Sequence, residues 1–277
     1  MIKKAVLFVF AALTGGIFLA CENMEDTLAT SAANEPEESY NTFSFDKNYS
    51  IDEYADKLQL PEFKKYEDTK TRKKKFFEFM KPVLKAENQR VIDQRNFIKK
   101  CYAAAYNLSW EISEERVTRL KKIAREYKMY DIDLQNPQTY KKLLMRVDKV
   151  PVSLALIQSA NETAWGTSYF ARKGNNMFGQ WCFTEGCGLV PRSRPEGAKH
   201  EVAAYPSVAH SVRAYINNLN THQAYTYFRN LRYEKRQKNE PLKGDYLAIG
   251  LQKYSSKGME YVDIIRSMLR VNKKFLS

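Results

Sequence analysis

In the stretch SLALIQSANETAWGTSYFARKGNNMFGQW, residues 153–181, a glutamate stands where a core-like helix runs out. The first half is mostly apolar and reads as a helix opened by Pro151 and ending on Glu162, with Trp165 and Gly166 directly after it. A carboxylate at a helix C-terminus meets the negative end of the helix dipole, and apolar neighbours strip it of water. Both effects keep the proton on the carboxyl to a higher pH. A carboxyl that stays protonated near neutrality can hand its proton to a leaving oxygen, which makes Glu162 a candidate general acid. Ala155, Ser159 and Glu162 share one side of the helix, and the small side chains beneath the carboxylate predict a hollow through which a ligand reaches it.

Other chemistries find less support. His200, His210 and His222 show no paired metal spacing, and the sequence has no serine elbow, thiol–imidazole set or phosphate-cradling glycine loop. Cys182 and Cys187 in WCFTEGCG lie five residues apart, with Gly186 and Gly188 available for a tight turn, the spacing of a small disulfide loop. A metal on that pair needs two more ligands, and His200 is the only one near. Neither a metal nor a cofactor is expected.

The elements that must hold Glu162 in place are helical in pattern. Abundant Tyr (18) and Phe (15) beside only 11 Gly point to a mostly α fold. KKKFFEFM leads to Pro82, which suits the first turn of a new helix. Leu84, Val91, Ile98, Tyr102 and Ala105 mark one face of that helix. Ser113 caps the next, with Glu114 and Glu115 in its first turn and a stripe of Val117, Leu120, Ile123, Ala124 and Tyr127. Asn136 and Pro137 start a short helix that extends through Val147. Beyond Gly166 the helical period stops, and Pro and Gly turns predict a small hairpin-like β lobe over about 179–205. Ser207 then caps a helix with Val208, Val212, Tyr215, Ile216 and Leu219 on one face. GDYLAIGLQKY and GMEYVDIIRSML give two closing helices.

The N-terminus reads as an address. Residues 1–20 combine Lys3 and Lys4 with a short apolar run and form a signal peptide rather than a membrane span. The Ala20–Cys21 junction resembles a bacterial lipobox, in which Cys21 is lipidated and becomes the first mature residue; plain secretion with cleavage nearby is the alternative. Residues 22–40 carry six acidic and no basic groups, the composition of a disordered tether, which we place at 21–45 together with the anchor. The expected location is the cell envelope, lipid-anchored, at the outer membrane facing the periplasm or exposed on the surface. The whole chain has a formal charge of +13, and residues 41–277 alone carry +17. So basic a body favours a polyanionic partner, although a solvated Lys-rich surface accounts for part of the charge. An exported protein rarely meets nucleic acid, so an anionic envelope polymer fits better. A support region at 46–147 and a body at 148–277 complete the expected organisation.

The ordered set Glu-Thr-Ala-Trp-Gly, Asn-x-Phe-Gly and Tyr-x-Ser resembles the glucosaminidase domain of glycoside hydrolase family 73. NNMFGQWCF, AYPSVAHSVRAYINNLNTHQAY and YSSKGMEYVDIIRSMLRVN resemble its Bax-like branch. The likeness spans roughly Lys73 to Asn272. It implies a lysozyme-like, mostly α fold with a small β lobe across a glycan groove. It implies that Glu162 is the catalytic acid, that Trp165 and Gly166 form the turn shaping its surroundings, and that Asn176, Phe178 and Gly179 line the cleft. Tyr205 matches an aromatic beside the site, opposite Glu162. Trp181 and Tyr205 offer π faces on which apolar pyranose faces can stack.

A second carboxylate is harder to place. Retaining enzymes need two carboxyls ~5–5.5 Å apart and inverting ones ~6.5–9.5 Å apart. Glu185, Glu196 and Glu201 are the candidates in the lobe; Glu201, on an expected strand four residues before Tyr205, is the best anchored and a weaker partner than Glu162. The substrate's own N-acetyl group can replace such a partner. The expectation is therefore a hydrolase that cuts peptidoglycan glycan strands after N-acetylglucosamine. Rivals are a muramidase or lytic transglycosylase on the same fold, an endoglycosidase acting on glycoproteins, and a non-catalytic glycan-binding lipoprotein. The sequence leaves the oligomeric state open.

Overall fold

The computed structural model describes residues 58–107, 112–192 and 194–276. The expected signal peptide, Cys21 and the acidic tether lie outside the described residues.

Among the described residues, the longest element is α1 (Thr69–Asn107). It runs unbroken through Pro82, where the sequence suggested a fresh helix start. An interior proline forfeits a backbone bond and costs about 3 kcal/mol. Phe76, Phe77, Met80, Val83 and Leu84 surround it, and all five are buried. At about 1.5–3 kcal/mol for each large apolar side chain, their packing outweighs the break. The expected stripe of Leu84, Val91, Ile98, Tyr102 and Ala105 is buried along its length.

Next come α2 (Glu114–Glu126) and α3 (Pro137–Arg146). Ser113 occupies the N-cap of α2 without a capping side-chain bond, whereas Asn136 caps α3 by accepting from the Gln138 amide. The helix of the opening stretch, α4 (Val152–Thr163), follows Pro151 and ends one residue past Glu162. A six-residue helix, α5 (Tyr169–Gly174), starts from the Ser168 cap where the sequence showed no periodicity. Three short strands, β1 (Trp181–Cys182), β2 (Gly188–Leu189) and β3 (Glu201–Ala203), then form the expected lobe. The sheet is antiparallel in the order β1-β3-β2, with Cys182 opposite Glu201 and Gly188 opposite Ala203.

The chain closes with α6 (Val208–Thr221), α7 (Thr226–Gln237), α8 (Gly244–Leu247) and α9 (Met259–Val271), then the short α10 (Lys273–Leu276). GDYLAIGLQKY is thus not one helix: α8 gives way to a 3-10 turn at Ala248–Leu251.

One hydrophobic core joins α1 to the helices of the body, from Phe63 to Leu269. Polar links cross the expected boundary between 147 and 148. Glu87 on α1 takes two hydrogen bonds of 2.9 Å from Arg213 on α6. Asn88 donates to the Val150 carbonyl at 2.7 Å and accepts from its amide at 3.0 Å. Asp148 takes paired bonds from Arg236 on α7 and lies near Arg95 on α1 and Arg232 on α7. Within the described residues, α1 of the expected support region therefore shares its core and its buried polar bonds with the body. Among the described residues, no helix is long and apolar enough to cross a membrane.

Candidate active site

The end of α4 is a tightly wired turn. Thr163 donates its hydroxyl to the Ser159 carbonyl at 2.6 Å and accepts the Gly166 amide at 2.9 Å. Its carbonyl receives the amides of Thr167 and Ser168. Ala164, Trp165 and Gly166 all take positive φ, at 48°, 63° and 76°. Gly166 is required twice over, because a Cβ there would stand 2.5 Å from the Phe63 ring. Trp165 packs edge-on against Phe76 and Phe77 of α1, at 6.0 and 5.3 Å, and the Lys73 ammonium lies 4.7 Å over its ring. It fastens the turn to α1. The long N-terminal helix thereby sets the backbone that follows Glu162.

Glu162 itself is half-buried. Its Oε1 accepts from the Tyr261 hydroxyl at 3.0 Å and from Asn161 Nδ2 at 3.2 Å. Its Oε2 lies 3.3 Å from where a Cβ on Gly179 would stand, and Gly179 has φ of 63°. Burial pushes the carboxyl above its ordinary range, and the two hydrogen bonds only partly offset it. The shift is in the direction the sequence led us to expect.

Behind the carboxylate stands a group of tyrosines that sequence reasoning did not assign. Tyr215, Tyr225, Tyr254 and Tyr261 all resist ionisation because they are buried, and the charge on Glu162 adds to the effect in each. Tyr225 is pushed up to about 12. Tyr254 and Tyr261 stack at 5.4 Å, nearly parallel. The available signals were apolar stripes: Tyr215 falls on that of α6, and Tyr261 falls with Val262 and Ile265 on that of GMEYVDIIRSML. The small residues of α4 do not leave the expected hollow: Ala155 and Ser159 are wholly buried, filled over by neighbouring elements.

The GNNMFGQW loop is built from beneath. Asn176, 2% exposed, donates to the carbonyls of Gln180 and Ala203 and accepts from the amides of Phe178 and Gln180. Phe178, 1% exposed, stacks on Tyr215 at 3.8 Å, and its carbonyl accepts from the Tyr254 hydroxyl at 2.8 Å. Both residues shape the loop from its buried side, which leaves Gly179 as the loop residue next to Glu162. Tyr205 is half-buried and donates to Gln180 Oε1 at 2.9 Å, one residue from Gly179. Trp181 is 60% exposed and stacks on His200 at 4.3 Å.

Glu201 has a different setting. It is buried on β3, and its two oxygens accept the amides of Gly186 and Gly188 at 3.1 and 2.7 Å. Those two bonds hold its carboxyl below the ordinary range. The glycines flank Cys187, which is joined to Cys182 by the expected disulfide. Glu185 and Glu196 are exposed. Among the described residues, the one grouping of three metal-ligand types is Cys182, Cys187 and Glu201, and its two sulfurs are bonded to each other.

The mostly helical fold with a small antiparallel sheet is the architecture that the glucosaminidase resemblance implied. Residues 137–274 match the glucosaminidase family, described as mannosyl-glycoprotein endo-beta-N-acetylglucosaminidase. The chain belongs to this family, which implies a glycan hydrolase. Among its relatives is Protein bax of Escherichia coli strain K12, 32% identical over 223 residues, which cover 80% of this chain and 78% of that protein. No solved structure matches the chain.

Proposed function

We propose that the protein is a peptidoglycan hydrolase of the β-N-acetylglucosaminidase type, with Glu162 as its general acid. The observation that carries this is the asymmetry of the Glu162 carboxyl. Burial favours its protonated form, Oε1 is tied to Tyr261, and Oε2 adjoins a glycine that leaves it room. The proton of Glu162 passes to the glycosidic oxygen as the bond from that oxygen to C1 breaks. Water completes the reaction by adding hydroxide to C1 and returning a proton to the carboxylate.

Glu201 is a latch in this reading rather than a nucleophile, since both of its oxygens already hold backbone amides. The substrate's own N-acetyl carbonyl then stabilises C1, a route known for other hexosaminidases. Trp181 and Tyr205 supply stacking faces for sugar rings, and Asn176, Phe178 and Trp165 keep the loop and turn in shape. The basic body suits an anionic envelope polymer, and Cys21 supplies a lipid anchor to the membrane.

Digestion of purified sacculi tests the proposal. Wild type is expected to release fragments with N-acetylglucosamine at the new reducing end, and Glu162→Gln to release none. Anhydro-muramic ends would instead indicate a lytic transglycosylase, and muramic acid ends a muramidase. No fragments from either form would indicate a glycan-binding protein.

A further inference from the structure

The polar groups behind Glu162 form a line with a direction. Tyr215 donates its hydroxyl to Gln158 Oε1 at 2.6 Å, and Gln158 Nε2 donates to the Tyr261 hydroxyl oxygen at 3.0 Å. Tyr261 donates to Glu162 Oε1 at 3.0 Å. Gln158 and Tyr215 are wholly buried and Tyr261 is 3% exposed, so water does not compete for these bonds. The direction is forced from one end. An ionised Glu162 only accepts, so the single Tyr261 proton goes to it. Tyr261 then has only lone pairs to offer Gln158, which must turn its amino group that way and leave its carbonyl to Tyr215.

We propose that Gln158 and Tyr215 are positioning residues: acting through Tyr261, they commit Oε1 of Glu162 to accepting and so reserve Oε2, beside Gly179, for the transferable proton. This rests on the reading of Glu162 as the general acid. A protonated carboxyl has one hydroxyl and one carbonyl oxygen. Oε1 already receives Tyr261 and Asn161, so the hydroxyl falls to Oε2. The rings that carry the line also hold the loop. Tyr215 stacks on Phe178, and Tyr254, stacked on Tyr261, donates to the Phe178 carbonyl. Gly179 follows Phe178, so the proton-bearing oxygen and the loop facing it share the same supports. Aligned bonds polarise one another, so each donor in the line strengthens the bond that reaches Glu162.

The groups that interact with Glu162 are Asn161 of α4, Tyr215 of α6, Tyr225 in the turn after α6, Tyr254 before α9 and Tyr261 of α9. All the tyrosines stay neutral while a carboxyl titrates. Burial and the Asn161 bond also act on the Glu162 midpoint, so it is the change between wild type and a line variant that reports on the line.

The test is a titration of the full chain with carbon-13-labelled glutamate carboxyls, in which the Glu162 resonance is the one missing from Glu162→Gln. Tyr215→Phe removes the far donor. The double variant Gln158→Met with Tyr215→Phe removes the line beyond Tyr261 without leaving an unmatched amide. Both are expected to raise the Glu162 midpoint by about 0.3 pH unit or more. They are also expected to lower kcat on glycan about tenfold with KM little changed. A midpoint equal to wild type in either variant, with native circular dichroism, overturns the inference. If the wild type cuts no glycan, the functional reading fails while the titration still decides whether the line acts on Glu162.

Discussion

Glu162 has two chemically different oxygens, and the residues that make them different come from far along the chain. Tyr261 is 99 residues away in sequence, and Gln158 meets it across 103. This is why Glu162 stood out in ETAWG while the side chains that bond to it did not: helix ends and turns are local, but a hydrogen bond across the core has no local pattern. Gly179 belongs to the same scale. Adding a methyl group there strains a backbone at positive φ and brings a carbon within 3.3 Å of Oε2. Gly179→Ala is expected to stay folded, with a strain cost of about 1 kcal/mol. Its kcat/KM should fall on the order of 10²-fold, because a small displacement at the reacting atoms is costly. Measuring kcat/KM beside a melting curve checks both halves. Activity should also fall as pH rises, because the acid works only while protonated, and burial places that fall above the ordinary carboxylate range.

Among the elements, the β lobe and α1 show two ways in which a sequence is read well or badly. The lobe was legible because Pro and Gly turns and the Cys182–Cys187 spacing are local signals. The hydrogen-bonded setting of Glu201 was not, since its partners, the Gly186 and Gly188 amides, are apparent only once β1, β2 and β3 are paired. Glu201→Gln removes the charge that holds the disulfide loop and keeps a side chain of the same size. It is expected to retain most of the glycan cleavage, whereas loss of a general acid removes roughly 10²–10⁴-fold. Parallel assays of Glu201→Gln and Glu162→Gln separate latch from acid, and equal losses would return Glu201 to the chemistry. Helix α1 was misread at Pro82 because a local rule was set against five buried side chains that the rule cannot see. Helices α5 and α7 passed unnoticed for opposite reasons. The first is too short to show a period, and the second buries Arg229 and Arg232 alongside Phe228 and Leu231.

In the whole molecule, the site depends on one continuous interior. Asp148 is its ionic centre: burial works against the charged carboxyl, but Arg95, Arg236 and Arg232 outweigh it and hold the group well below the usual range. Asp148→Asn would leave buried guanidiniums without their counter-charge, at a cost of about 3–5 kcal/mol. A carboxyl with a lowered folded-state pKa stabilises above its unfolded value and loses that contribution as pH falls. Denaturant curves should therefore show a constant gap between wild type and Asp148→Asn down to about pH 4, closing below it. Glu162 has the opposite sign. Its raised value means that ionisation at neutral pH works against folding, so Glu162→Gln should melt no lower than wild type there. That property makes the decisive measurement clean. Sacculi are digested at neutral pH with wild type and with Glu162→Gln shown to be folded, and the released fragments are identified by mass. The account predicts N-acetylglucosamine reducing ends from wild type and none from the variant; equal release from both would contradict it.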